Sequence, residues 1–263
     1  MEPTLDVRVE GEAGSIPVRA FLEVLRTSLE VLDQLERAER LPSRLPGTWL
    51  IADLRNSSAV ATLRRPDAPH LQAPLRLLEG IGQLRERQEL PPYFSPDIAV
   101  ALVKIGKQAR QPGVSGVSFQ LPRTPEAAPR VEQISEAVVL NAQASVEGSE
   151  RVLGSVAGVL DVINLRRGAH IVSLYDEETR RAVRCKFPDS LFDTMKEALG
   201  HRVRALGEVT RNRRGQVLRV NIDRVELLPD EPGAPSVDDL ARIAPWYTGD
   251  QSTEEYLRSV RGA

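Results

Sequence analysis

The chain has 263 residues, a formal net charge of -2 and 41% hydrophobic residues. This length accommodates one large domain or two smaller ones, and the hydrophobic content can supply a real core. The single cysteine, Cys185, excludes an internal disulfide and a cysteine cluster for zinc, and its place in a β-like run predicts a buried core thiol. Because no apolar run approaches about 18 residues and the start lacks the features of a signal peptide, we expect a cytoplasmic protein without membrane association.

The first part of the chain predicts a small α+β domain at residues 1–149. Residues 5–10 alternate apolar and charged side chains as a half-exposed strand does, and a helix capped by Ser15 should follow to about Arg40. Residues 48–54 and 59–63 predict a hairpin, and helices should begin at Pro74 and Ser95. Residues 114–121 predict a strand ahead of a proline-rich connector. Residues 132–146 alternate in character, which favours a further strand, although an alanine-rich segment can also be helical.

Residues 150–229 predict a second domain, a small β-barrel. The β-forming residues at 152–165, 169–175 and 182–187 indicate a long strand followed by a hairpin. A short helix should begin near Ser190 and end at Gly200, and strands at 203–209 and 217–228 should be joined by a polar loop whose Gly215 can take positive φ. This order resembles the OB-fold, a five-stranded Greek-key barrel. The predicted fold class is α+β: an α+β domain, an OB-like barrel and a helical C-terminal tail.

Positive charge is concentrated in the barrel, where thirteen Arg and two Lys face ten Asp and Glu over residues 151–229. Several arginines lie in or beside predicted loops, where guanidinium groups can follow phosphates. Solvated loop charge explains them about as well, since an excess of arginine is typical of GC-rich bacterial genomes. Single-strand binders also use exposed rings, and the barrel has few aromatic residues. The candidate nucleic-acid contacts are Arg166, Arg167, Arg180, Arg181, Arg211, Arg213 and Arg214.

Residues 230–263 predict a linker and a short-helix docking tail. Two capped helical pieces flank an aromatic joint at residues 245–250, and residues 252–255 match the capping box S-x-x-E. The tail has too many apolar side chains for a solvated terminus and is too short for a core of its own, so it should dock on its own chain or on a partner. The candidate partner-binding residues are Leu240, Ile243, Trp246, Tyr247, Tyr256, Leu257, Arg258 and Arg261.

The same tail carries a family resemblance. The segments Asp238-Asp239-Leu240, Pro245-Trp246-Tyr247-Thr248-Gly249 and Ser252-Thr253-Glu254-Glu255-Tyr256-Leu257-Arg258, with Arg261, resemble the C-terminal segment of bacterial antitoxins paired with PIN-domain ribonuclease toxins. In that family the antitoxin tail wraps the toxin, and a basic side chain can enter the toxin's acidic, magnesium-binding site. The resemblance implies that Arg258 and Arg261 make charge-assisted bonds to carboxylates of such a partner.

Three functions follow from these patterns. The favoured hypothesis is a non-catalytic, antitoxin-like regulator that binds a partner, such as a PIN-type ribonuclease toxin, through its tail. The alternatives are an OB-type single-stranded nucleic-acid-binding protein and an enzyme of unknown class. His70, His170 and His201 are isolated, and the sequence contains no H-x-x-x-H spacing, glycine-rich phosphate loop or nucleophile elbow. We therefore predict no catalytic residue, no metal and no cofactor.

Overall fold

The structure is a computed structural model, and it describes residues 3–12, 14–39, 48–55, 59–68, 70–122, 129–166, 169–177 and 179–229. These residues contain helices and two sheets, which confirms the predicted α+β class. Residues up to Leu227 belong to one compact unit. No helix in the described ranges is both long and apolar enough to cross a membrane.

The first sheet has five antiparallel strands in the order β2-β3-β1-β4-β5. The alternation in β1 places Leu5, Val7 and Val9 in the core, as predicted from the sequence. The strands that flank the proline-rich connector, β4 and β5, complete this sheet rather than starting another. The strands are β1 (Thr4–Glu10), β2 (Leu50–Arg55), β3 (Ala59–Arg64), β4 (Gly116–Leu121) and β5 (Arg130–Gln133).

Four helices pack on this sheet and on one another around a single apolar cluster. The first, α1 (Val18–Glu39), buries a stripe that includes Val24, Val31 and Leu35. The third begins as predicted: Ser95 Oγ accepts a hydrogen bond from the Ile98 amide at 3.2 Å, and Pro96 occupies the first helical position. The remaining helices are α2 (Ala73–Glu86), α3 (Pro96–Gln108) and α4 (Glu136–Ser145).

The prediction of a strand over residues 132–146 is wrong. Strand β5 ends at Gln133, and α4 follows after Ser135, whose Oγ accepts a hydrogen bond from the Val138 amide at 3.4 Å. The buried residues Ile134, Val138 and Ala142 are four apart, so they form one helical stripe that packs in the first core. The alternation in this segment comes largely from small alanines, which fit either period, and the serine cap decided in favour of the helix.

The second sheet closes into a five-stranded barrel in the order β10-β8-β7-β6-β9, with β9 also paired to β10. Only β8 and β10 pair in parallel among these strands. A short 3-10 helix, Asp189–Leu191, leads into α5 (Phe192–Glu197) between the third and fourth strands. The strands are β6 (Gly148–Arg166), β7 (Ala169–Asp176), β8 (Ala182–Phe187), β9 (Arg202–Asn212) and β10 (Val217–Leu227).

The long strand β6 serves two neighbours because it bends. Its first part pairs with β9 and its second part with β7, and Gly158 pairs with both. A Cβ at Gly158 would fall on the carbonyl oxygen of Tyr175, so only glycine allows the two strands to approach this closely. In the β9–β10 loop, Gly215 has φ 75°, as the sequence predicts.

The barrel is fastened to the first sheet's helical layer by backbone-directed hydrogen bonds. The Gln216 side chain accepts from the Leu90 amide at 2.8 Å and donates to the Leu90 carbonyl at 3.1 Å. The buried Asn212 donates to the Ser145 carbonyl at 2.8 Å. The Tyr93 amide donates to the Thr179 carbonyl at 2.8 Å. These bonds orient the barrel relative to α1–α4, because each joins an amide or carbonyl at a defined position on either side.

Candidate functional site

The parallel pairing of β8 with β10 brings two arginine-bearing loops together. Arg184 pairs with Arg219 and Lys186 with Asn221, so the β7–β8 and β9–β10 loops enter the barrel at the same end. Arg180 and Arg181 precede β8, whereas Arg213 and Arg214 precede β10. The β6–β7 turn lies at the opposite end, because β7 is antiparallel to β8. Arg166 is therefore separated from the others; its side chain and all of Arg167 lie outside the described residues.

The arginines at the shared end differ in how far they are committed to the fold. The Arg211 guanidinium donates to the Gly215 carbonyl at 2.7 Å and so closes its own loop. Arg181 is partly buried, which lowers the pKa of its guanidinium, and its Nε has no acceptor among the described residues. Arg214 Nε lies 3.9 Å from Glu89 Oε1. Arg180 and Arg213 are exposed, so these two and Arg214 are the cations best placed to meet a phosphate.

A row of basic residues on the outer barrel wall continues from these loops. Arg184 and Lys186 alternate along β8 with the buried Val183, Cys185 and Phe187, and Arg219 stands beside Arg184 on β10. Arg184 Nη2 lies 3.4 Å from Asp97 Oδ2, and Arg219 Nε donates to Thr210 Oγ1 at 3.2 Å. The sequence analysis did not include these three residues among the candidates. The alternation of charged and apolar residues over 182–187 was the signal that could have identified them.

Aromatic side chains contribute little to the outer surface of the barrel. Tyr175 and Phe187 are 3% and 6% exposed, so neither presents a face on which a base could stack. Phe192 is half-buried against the barrel core and contacts His170 at a ring-centroid distance of 5.5 Å. The barrel surface therefore offers electrostatic contacts rather than stacking platforms.

A cleft lies between α1, the start of α3 and the outer face of β6, β7 and β8; we call it the α1–barrel cleft. Its volume is about 500 Å³. Four carboxylates line it, against two guanidinium groups. The carboxylates belong to Glu30, Asp33, Asp97 and Asp161, and the guanidinium groups to Arg37 and Arg184. This face of the barrel is thus lined by a net negative charge, which repels phosphates.

Two titratable groups at the cleft are perturbed by burial. Desolvation, reinforced by the neighbouring Glu36 carboxylate, raises the pKa of Asp33 above its ordinary value of 3.8. Burial also raises the pKa of Tyr175, and the adjacent Asp161 carboxylate adds to that rise. Both shifts report that negative charge is crowded into a poorly solvated space.

The remaining candidate residues lie elsewhere. Cys185 is fully buried in the barrel core, as predicted, and burial raises the pKa of its thiol to about 12. His170 Nδ1 lies 3.0 Å from Asp189 Oδ1 and its ring stacks on Phe187. Across the described ranges, no three His, Cys, Asp or Glu side chains are grouped so that they could hold a metal ion.

The predicted partner-binding residues cannot be placed in this geometry. Leu240, Ile243, Trp246, Tyr247, Tyr256, Leu257, Arg258 and Arg261 all lie outside the described residues. The helical tail predicted at residues 230–263 lies outside them as well.

Comparison with known proteins gives no family for this chain. No protein-family model matches it, and no curated protein matches it. Among solved structures, it is similar to OBody NL8 bound to hen egg-white lysozyme, with 22% identity, 31% of this chain and 98% of that chain covered, and a TM-score of 0.24. It is also similar to the S. pombe Stn1-ten1 complex, with 22% identity, 29% of this chain and 57% of that chain covered, and a TM-score of 0.23. At these TM-scores neither similarity bears on fold or function.

Proposed function

We propose that this chain is a non-catalytic, antitoxin-like regulatory protein that binds a protein partner through residues 236–261. The observation that carries the proposal is the composition of the tail. After the compact unit closes at Leu227, the tail adds seven large apolar residues within a short, acidic segment. Such a segment reaches a folded state by burying these side chains against another surface. Its large apolar residues are Leu240, Ile243, Trp246, Tyr247, Tyr256, Leu257 and Val260.

In this proposal the partner is a PIN-type ribonuclease toxin, as the resemblance of the tail implies. Trp246 and Tyr247 are the anchors, because aromatic residues dominate the energetics of protein interfaces. Arg258 and Arg261 bind carboxylates at the partner's active site. The barrel acts as a rigid platform, and we propose that it is an OB-fold. Support for that assignment comes from strand order: the first strand pairs with the second and fourth, and the third pairs in parallel with the fifth.

The tail proposal predicts that Trp246→Ala/Tyr247→Ala in the full chain weakens binding to a PIN-domain ribonuclease encoded by a neighbouring gene. We expect the dissociation constant to rise by about 100-fold or more, since two interface anchors are lost. Surface plasmon resonance measures the affinity, and growth during co-expression measures protection. The matched control is Leu153→Ala, which removes an 85% exposed apolar side chain from the barrel. Unchanged affinity and protection in the tail variant would show that the partner is not captured there.

The second candidate is a single-stranded nucleic-acid-binding protein, and the observation in its favour is the grouping of Arg180, Arg213 and Arg214 at one barrel end. Three exposed guanidinium groups on adjacent loops can follow a phosphate backbone without base readout. The buried aromatic rings and the acidic α1–barrel cleft weaken this candidate relative to the first.

This candidate predicts salt-dependent binding of a labelled oligonucleotide, measured by fluorescence polarisation. The variant Arg213→Ala/Arg214→Ala should bind more weakly, with a shallower dependence of affinity on salt, because each lost phosphate contact lowers the slope by about 1. Arg110→Ala is the control, since Arg110 is exposed at the end of α3 and pairs with Glu136 at 3.2 Å. Unchanged polarisation of the wild-type chain at low salt would remove the candidate.

A further inference from the structure

The α1–barrel cleft contains a buried carboxylate with an unused oxygen. The Asp161 side chain is 2% exposed, and its Oδ2 lies 3.8 Å from Arg37 Nη1, which is too long for a hydrogen bond. Its Oδ1 has no hydrogen-bond partner within the described part of the chain. Buried carboxylates are ordinarily paired and hydrogen-bonded, because an ionised group is costly to remove from water. Asp161 is thus positioned to accept from a donor that enters the cleft.

The charges around Asp161 favour a cation. Of the other three carboxylates, Glu30 already binds Arg26 at 3.0 Å and Asp97 lies 3.4 Å from Arg184. Asp33 is half-buried on α1, and the crowding that raises its pKa would be relieved by a positive charge beside it. Asp33 and Asp161 come from different parts of the fold, and Arg37 is the cation nearest to Asp161. The cleft therefore holds more negative charge than its own arginines neutralise.

The walls of the cleft suit an organic ion. Val162 and Ile171 supply apolar surface, and the ring of Tyr175 lies beside them. Gln34, Ser95 and Ser173 supply neutral hydrogen-bonding groups. A volume of about 500 Å³ lies within the range of small-molecule sites. A metal ion fits less well, because the described residues bring no three metal-ligating side chains together here.

We propose that the α1–barrel cleft binds a small organic cation with an ammonium or guanidinium group at each end of an aliphatic chain, or one of each. One charged end donates hydrogen bonds to Asp161 Oδ1, and the other end meets Asp33 at the α1 side. The methylene chain between them lies against Val162 and Ile171. Ammonium and guanidinium groups are donors only, which complements a cleft whose charged lining is rich in acceptors. This inference does not depend on the proposed function of the tail.

Isothermal titration calorimetry of the full chain at physiological ionic strength tests the proposal. The probes are 1,4-diaminobutane and spermidine for ammonium groups and agmatine for a guanidinium group. We expect saturable binding of at least one probe with one site per chain, and the better probe identifies the preferred head group. Asp161→Asn should weaken that binding by about tenfold or more, because the buried charge that receives the cation is lost. Asp223→Asn makes the same chemical change at an exposed position of β10 and should leave the affinity unchanged.

Thermal unfolding provides the second readout. The bound probe should raise the melting temperature of the wild-type chain and of Asp223→Asn, but not that of Asp161→Asn. If Asp161→Asn does not fold, Asp33→Asn replaces it, and retention of wild-type affinity by that variant overturns the proposal. The proposal is also overturned if no probe binds saturably, if Asp161→Asn binds as tightly as the wild type, or if magnesium chloride at equal ionic strength reproduces the effect.

Discussion

Glu36→Ala is expected to lower the free energy of unfolding by about 3–5 kcal/mol, the usual cost of removing one partner from a buried ion pair. Glu36 lies on α1 and Arg65 follows β3, and both side chains are only 2% exposed. The Arg65 guanidinium donates to both Glu36 oxygens, at 2.9 and 3.3 Å. This bidentate contact raises the pKa of Arg65 and keeps it charged. Without Glu36 the guanidinium stays buried, with Asp67 at 2.5 Å as its remaining carboxylate.

Urea unfolding at neutral pH measures this loss, and two further variants isolate its cause. Glu23→Ala removes a carboxylate from the same helix, but that carboxylate pairs with the exposed Arg26, so the urea midpoint should change little. Glu36→Leu/Arg65→Met replaces the pair with apolar groups and should recover most of the stability, because neither charge is then left unpaired. If Glu36→Ala behaves like Glu23→Ala, the buried pair does not join α1 to the sheet as described.

Phe94→Ala is expected to cost about 3–5 kcal/mol, because it removes a fully buried ring from the first core. The ring packs directly on Gly80 of α2, where an added Cβ would overlap three ring carbons. Gly80→Ala alone should therefore cost about 1–3 kcal/mol through overpacking, despite the better helix propensity of alanine. In the Phe94→Ala background the overlap is gone, and the same change should stabilise the protein by up to about 1 kcal/mol.

The change of sign is the measured quantity, obtained from urea unfolding of the two single variants and the double variant. Gly82→Ala is the matched control on α2. An added Cβ there would lie 3.2 Å from a carboxylate oxygen of Glu132, a side-chain end that can shift, so this change should be neutral or mildly stabilising. Additive effects of Gly80→Ala and Phe94→Ala would contradict the contact between glycine and ring.

Local patterns in the sequence predicted most of the secondary structure. The alternation in residues 5–10, the apolar stripe of α1 and the Ser95-Pro96 start of α3 correspond to the observed elements. These features are readable because a strand repeats every two residues and a helix every 3.6, and because caps act within one turn. The exception, α4, lies where alanines satisfy both periods, so the local pattern did not discriminate.

Charge contacts and sites between distant segments depended on the tertiary structure. The Glu36–Arg65 pair, the meeting of Asp33 with Asp161 in one cleft, and the separation of Arg166 from Arg180 all follow from strand order and register. Period and propensity carry no information on which strand pairs with which, and a charged residue reads alike whether it is solvated or buried. The sequence by itself therefore determined the elements, the arginine-rich barrel and the apolar composition of the tail. The parallel pairing of β8 with β10 decided which arginines share one end of the barrel, and the docking of β6 to β8 beside α1 created the acidic cleft.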